Sequence, residues 1–146
     1  MRKLATAESL AGLFGLAFVV VGVLGFIPGV VQDYGELTWW RTDSGAELFG
    51  IFQTSILDNL FHIGSGVVGL VAARRAATAR GFLTGGGLVY FALGIYGLLI
   101  DYFSDWNFMP VDRADDWLHV GFGIGMLYAG LAAGLSASRP RPAAAS

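Results

Sequence analysis

Two short segments hold the only two histidines of the chain. Asp58-Asn-Leu-Phe-His62-Ile-Gly64-Ser-Gly66 and Asp115-Asp-Trp-Leu-His119-Val-Gly121-Phe-Gly123 share the pattern D-[ND]-x-x-H-x-G-x-G. Residues four apart on a helix lie one above the other. Asp58, His62 and Gly66 therefore form one stripe, and Asp115, His119 and Gly123 form a second. An imidazole one turn from a carboxylate can hold or pass a proton, because histidine titrates in the neutral range. Two imidazoles can also act as axial ligands of a haem b, and one suffices for a chlorophyll-type pigment. A glycine one turn below each ring, Gly66 or Gly123, removes a side chain where another helix or a flat ligand can approach.

Each of these residues has a plainer use as well. Ser55-Ile-Leu-Asp58 and Asp112-Arg-Ala-Asp115 have the form of a capping box, in which the acid reaches back to the N-cap amide. Glycine pairs four apart, Gly25/Gly29, Gly81/Gly85, Gly121/Gly125 and Gly130/Gly134, suit close helix packing, and the histidines can bond across helices as polar glue. The residue types leave these alternatives open. A closed zinc site wants four ligands, and the chain has no cysteine, so no metal site is assigned. The haem-attachment motif C-x-x-C-H is excluded for the same reason. There is no G-x-S-x-G, H-E-x-x-H, Walker or Rossmann fingerprint, so no catalytic residue is assigned and the chain reads as non-enzymatic.

The elements that must position the two stripes follow from composition. Of 146 residues, 55% are hydrophobic and only 14% charged, and mean hydropathy is +0.62. A soluble domain carries about 25% charged residues. Nine Lys+Arg against eleven Asp+Glu give no basic field for nucleic acid. The apolar residues fall into four blocks, predicted as helices over about 10–31, 55–73, 82–100 and 112–135, each long enough to cross a hydrocarbon core. Residues 139–146 are predicted to be a disordered tail. The first block exceeds the h-region of a signal peptide and is expected to be a retained helix. The predicted class is therefore an all-α polytopic membrane protein in contact with the lipid bilayer.

Arg2, Lys3, Arg74, Arg75, Arg80, Arg139 and Arg141 fall on one side of this arrangement and only Arg41 and Arg113 on the other. By the positive-inside tendency both termini are expected in the cytoplasm of a bacterial cell, with the protein in its inner membrane. Trp39, Trp40, Trp106, Trp117 and Tyr34 then form an outer aromatic belt. Blocks one and three also match each other: Gly15-Leu-Ala-Phe-Val-Val-Val-Gly22-Val-Leu-Gly25 lines up with Gly87-Leu-Val-Tyr-Phe-Ala-Leu-Gly94-Ile-Tyr-Gly97. The chain thus reads as two parallel-repeat helical hairpins about a pseudo-two-fold along the membrane normal. On that axis His62 and His119 are expected to approach each other.

The segments Phe52-Gln-Thr-Ser-Ile-Leu-Asp-Asn59-Leu-Phe-His62 and Pro110-Val-Asp-Arg-Ala-Asp115-Asp-Trp117-Leu-His119 resemble a bacterial family of four-helix membrane proteins catalogued as a domain of unknown function. Its members carry N-x-x-H in helix two, met here by Asn59 and His62. They carry A-D-x-W-L-H in helix four, met by Ala114, Asp115, Trp117, Leu118 and His119. Asp112 stands for the usual Asn. Asp58 stands where members often have a small apolar residue or His. The resemblance implies the four-helix fold and no activity. Three roles remain in view from the residues: an accessory or structural subunit of a larger membrane complex or homo-oligomer, a tetrapyrrole-binding protein ligated by His62 and His119, and a proton-linked transporter or sensor.

Overall fold

A computed structural model describes residues 6–40, 44–102, 106–107 and 112–137. The predicted tail at 139–146 lies outside the described residues. Four helices carry the fold: α1 (Ala7–Leu24), α2 (Ile56–Ala72), α3 (Ala76–Leu99) and α4 (Arg113–Ala137). Three short strands lie between α1 and α2: β1 (Val31–Gln32), β2 (Glu47–Leu48) and β3 (Phe52–Gln53), antiparallel in the order β1-β2-β3.

The helix ends follow from local chemistry. The Thr6 hydroxyl accepts from the Ser9 amide at the start of α1. The first apolar block runs on to Val31, but α1 stops at Leu24. Pro28 disfavours helical geometry at Ile27, and Gly29 takes φ +88°, a left-handed conformation suited to glycine. The chain then turns into the sheet, which rests on a small core of Val31, Ala46 and Leu48 with Leu24, Leu37 and Phe52 packed against it. Sequence periodicity gives no sign of strands two residues long. The Ser55 hydroxyl accepts from the Asp58 amide at 3.2 Å and starts α2. Helix α3 begins at Ala76, six residues before the third apolar block, because Ala76, Ala77 and Ala79 are strong helix formers and the Thr78 hydroxyl closes the preceding turn onto Ala72 and Arg75. Asp112 caps α4: its Oδ1 accepts from the Ala114 and Asp115 amides at 2.7 and 2.9 Å. Its Oδ2 accepts from the Gln53 amide and ties the sheet to α4.

Helices α1, α3 and α4 are long and apolar enough to cross a membrane; α2, at 17 residues, is shorter. It runs antiparallel to α1 along its whole length, Gly22 against Asn59 at one end and Gly12 against Ala73 at the other, so the two share a depth. Large apolar side chains point outward, Leu99 being 81% and Leu135 73% exposed, which water would not tolerate and lipid does. The molecule is an all-α membrane protein. We call the end bearing the sheet and the starts of α2 and α4 the sheet end, and the end with the Arg74–Arg75 turn the turn end. Trp39, Trp40, Trp106 and Trp117 are all exposed near the sheet end.

Both hairpins, α1 with α2 and α3 with α4, close through the same set of glycines. A side chain on Gly15 would strike the Gly66 carbonyl and the Leu70 amide; on Gly87, the Gly123 carbonyl and the Leu127 amide. Gly22 abuts Asn59 and Ile63, and Gly94 abuts Asp116 and Val120; Gly25 meets the Asn59 side chain, and Gly97 that of Asp116. Several predicted packing pairs do not act this way. Gly81, Gly85 and Gly121 meet nothing, and Gly125 touches only Phe14 at 3.8 Å. In the other two pairs Gly25 and Gly130 pack closely while a side chain on Gly29 or Gly134 would meet nothing nearby, and the α1 and α3 glycines that close the hairpins are spaced seven and three apart.

Candidate functional site

Six residues below the start of each helix, His62 on α2 and His119 on α4 sit about 9 Å under the sheet end. The fold brings them together. Their ring centroids are 6.4 Å apart and the planes differ by 16°. Beneath and beside them, Phe18 of α1 stacks on Tyr90 of α3 at 4.6 Å and 5°. Phe18 lies 6.1 Å from His62, and Tyr90 lies 5.6 Å from His119. Phe18 and Tyr90 occupy matching places in the Gly15–Gly25 and Gly87–Gly97 segments. The four rings thus form two like pairs that meet at the centre of the bundle. Neither Phe18 nor Tyr90 was singled out from sequence, although the internal match places them opposite each other.

The two Asp–His stripes differ in their bonds. His62 Nδ1 lies 3.0 Å from the Asp58 carbonyl and 3.4 Å from Asp58 Oδ1. Both neighbours only accept, so Nδ1 carries the proton and donates, which leaves Nε2 as the exchangeable position. The Thr54 hydroxyl oxygen lies 3.4 Å from the Asp58 carboxylate, while its proton goes to the nearer Asn59. The carboxylate therefore faces its own histidine rather than the N-cap amide that a capping box would assign to it. In the second stripe Asp115 and His119 are 8% and 6% exposed, and Asp115 Oδ2 and His119 Nδ1 are buried without a partner. Asp115 thus does not close a capping box either; Asp112 alone does the capping, through backbone amides.

Asn59 and Asp116 sit at matching places beside these stripes. Asn59 is 1% exposed. Its amide donates to the Gly25 carbonyl at 2.9 Å and accepts from the Thr54 hydroxyl at 2.8 Å, sealing the end of α1. Asp116 is fully buried; its Oδ2 accepts from the Tyr102 hydroxyl, while Oδ1 lies against Gly97 unpaired. Partial burial, with the hydrogen bond and charge of Asp116 beside it, pushes the Tyr102 hydroxyl up to about 12. A phenol raised in the folded state adds stability that is complete below its ordinary value of 10.0 and fades as pH climbs through about 12. Tyr102→Phe should therefore remove this alkaline loss. It should also cost about 1–3 kcal/mol at neutral pH by stranding Asp116. Denaturation followed at neutral and alkaline pH checks both, and an unchanged alkaline limb would contradict the assignment.

Aromatic side chains, rather than open space, surround His62 among the described residues. Phe18, Phe61 and Tyr90 crowd His62 at centroid distances of 6.1, 6.4 and 6.3 Å. The space foreseen below the rings is also taken. A side chain on Gly66 would strike Val19 and the Gly15 carbonyl, and one on Gly123 would strike Phe91. These two glycines serve helix approach rather than a ligand. Among the described residues no group of three or more His, Cys, Asp or Glu is arranged to hold a metal ion. What the arrangement can do is accept, hold and share protons between two imidazoles with carboxylates close by.

No curated protein and no solved structure gives a significant match to the chain. Residues 9–132 match the family described as Domain of unknown function (DUF4383). That match takes in all four helices apart from the first residues of α1 and the last of α4, and the chain belongs to this family.

Proposed function

We propose that the protein is a non-enzymatic membrane protein that binds a proton at a centre made of Asp58, His62, Asp115 and His119. We place it in a bacterial inner membrane, with the turn end and both termini cytoplasmic, on the strength of the cation distribution. The observation that carries the reading is the approach of the two imidazoles to 6.4 Å in the bundle interior, with Asp58 beside His62 and Asp115 buried four residues before His119. Ionisable groups at such depth are costly and are kept for a purpose. Two imidazolium charges 6.4 Å apart repel by about 2–3 kcal/mol at an effective dielectric near 20, so the pair holds one proton through the neutral range and not two. His62 is bonded to its own acid, whereas His119 Nδ1 has no partner, so the two rings are not equivalent. The two hairpins are read as copies of one unit, which gives the centre its paired construction.

Unbuffered titration of the purified protein tests this. Wild type should take up about one proton more than the His62→Asn/His119→Asn double variant between about pH 8 and pH 5. A difference of zero or of two protons would contradict a shared site.

A second reading, an accessory subunit docking on a larger membrane partner, is favoured by an open apolar groove of about 340 Å³ lined by Phe14, Trp117, Leu118, Gly121, Phe122 and Gly125. A photo-crosslinker at Gly121 that captures one partner in native membranes, and not when moved to Val68 on the far helix, would support it.

A further inference from the structure

The buried groups of the bundle are divided by depth. Among the described residues Ser44, Thr54, Ser55, Asn59, Asn107, Asp115, Asp116 and His119 are buried and polar, and all lie at or above the histidine level, toward the sheet end; the buried Tyr90 carries a hydroxyl as well. The other half is closed by Ala7, Ala11, Ala79, Leu83, Met126 and Ala129, each at most 7% exposed. Phe14, Phe18 and Phe122 pack edge to face and tilted just below the imidazoles, with centroids 5.5–6.4 Å apart. From Phe18 to Ala7 is eleven residues of helix, about 16 Å, in which the fully buried side chains of the described residues are apolar; the half-buried Thr84 at this depth spends its hydroxyl on the Arg80 carbonyl of its own helix at 2.8 Å.

The titratable and charged groups around the centre come from three of the four helices and the segments that flank them. Helix α2 gives Asp58 and His62, and α3 gives Tyr90. Helix α4 gives Asp115, Asp116 and His119, with Asp112 at its cap and Arg113 at its first turn. Tyr102 reaches in from the loop after α3 to Asp116. Helix α1 offers only phenylalanines here. The Tyr90 hydroxyl lies near Ser65 without an aligned hydrogen bond. The acids thus lie between the sheet and the imidazoles, and among the described residues no buried acid or histidine lies farther toward the turn end.

We propose that the histidine centre exchanges its proton with the sheet end alone, so that the protein binds protons from that side and does not conduct them. This rests on the proton-binding reading above. A proton needs hydrogen-bonding groups or water to move; the fully buried Ala, Leu, Met and Phe side chains of this stretch, about 16 Å long, offer neither, and the Thr84 hydroxyl is held by its own helix backbone. Asp58 and His62 keep 15% and 13% of their side chains exposed and lie nearer the sheet end than any of the buried apolar residues Ala7, Ala11, Ala79, Leu83, Met126 and Ala129. The result is a receptor for the proton activity of one compartment, insulated from the other.

The test uses full-length protein reconstituted at less than one chain per vesicle. Vesicles captured through an impermeant biotin on Gly35→Cys have the sheet end outside, since Gly35 is exposed on that end and meets no neighbour. The signal is the infrared imidazole difference band that His62→Asn/His119→Asn removes. We expect this band after an external step from about pH 8 to about pH 5.5 and not after the same internal step. An imposed proton gradient should decay within about twofold of the protein-free rate. A response to the internal step, or a gradient collapsed tenfold faster by wild type but not by the double variant, overturns one-sided exchange while leaving proton binding intact. No histidine-dependent band after either step overturns both.

Discussion

Gly94→Leu should disrupt the α3–α4 hairpin, and Gly22→Leu should do the same to α1–α2. A Cβ at Gly94 would lie 2.7 Å from the Val120 amide and 2.8 Å from the Asp116 carbonyl; at Gly22 it would lie 2.5 Å from the Asn59 carbonyl. These are backbone atoms of the facing helix, and no rotamer change moves them aside. Overpacking of side chains alone costs about 1–3 kcal/mol, and here two helices must separate along their length, so the loss should reach or exceed the top of that range. Gly64→Leu and Gly81→Leu are the controls. Both positions are open, and loss of a mid-helix glycine there should be neutral or stabilising by up to about 1 kcal/mol. Unfolding in mixed detergent micelles separates the two classes. Equal stability of Gly94→Leu and Gly81→Leu would mean that the hairpins do not close as described.

Asn59 and Asp116 stand at matching places but should respond in opposite ways when exchanged. Asn59→Asp puts a carboxylate oxygen where the amide now donates to the Gly25 carbonyl, so two acceptors face each other in a site 1% exposed. Loss of that bond and burial of an unpaired acceptor should cost about 3–5 kcal/mol. Asp116→Asn keeps an acceptor for the Tyr102 hydroxyl and gives the atoms against Gly97 a donor, so it should be neutral or stabilising. Paired denaturation curves would read this directly. A destabilised Asp116→Asn with a tolerant Asn59→Asp would reverse the assignment.

Hydropathy made the four helices legible because a membrane helix must be apolar over its whole length. Ser55 and Asp112 were legible as helix starts because capping is a local matter of one side chain and one or two amides. The end of α1 was not. Apolar residues continue to Val31, and hydropathy is blind to the turn that Pro28 and Gly29 impose. The sheet was also hidden, since two-residue strands show no alternation. The Asp58 and Asp115 carboxylates could not be placed because the same S/D-x-x-D spacing serves a cap or a histidine, and only the rotamer chooses. The internal match pointed to His62 and His119 in proximity. It held Phe18 and Tyr90 as well, but two aromatic residues in apolar helices carry no mark that separates core from centre. Among the small residues, sequence favoured pairs four apart, whereas the helices close on Gly15, Gly22 and Gly25 and on Gly87, Gly94 and Gly97.

The central claim is that His62 and His119 bind protons as one unit. The most direct measurement is the titration of each imidazole by nitrogen-15 NMR in lipid nanodiscs, in wild type and in each single His→Asn variant. In a shared centre the two rings titrate in separate steps, and His119→Asn displaces the His62 curve while His62→Asn displaces that of His119, as rings 6.4 Å apart require. If each histidine titrates along the same curve whether or not the other is present, the two are independent side chains and the proton-binding centre does not exist.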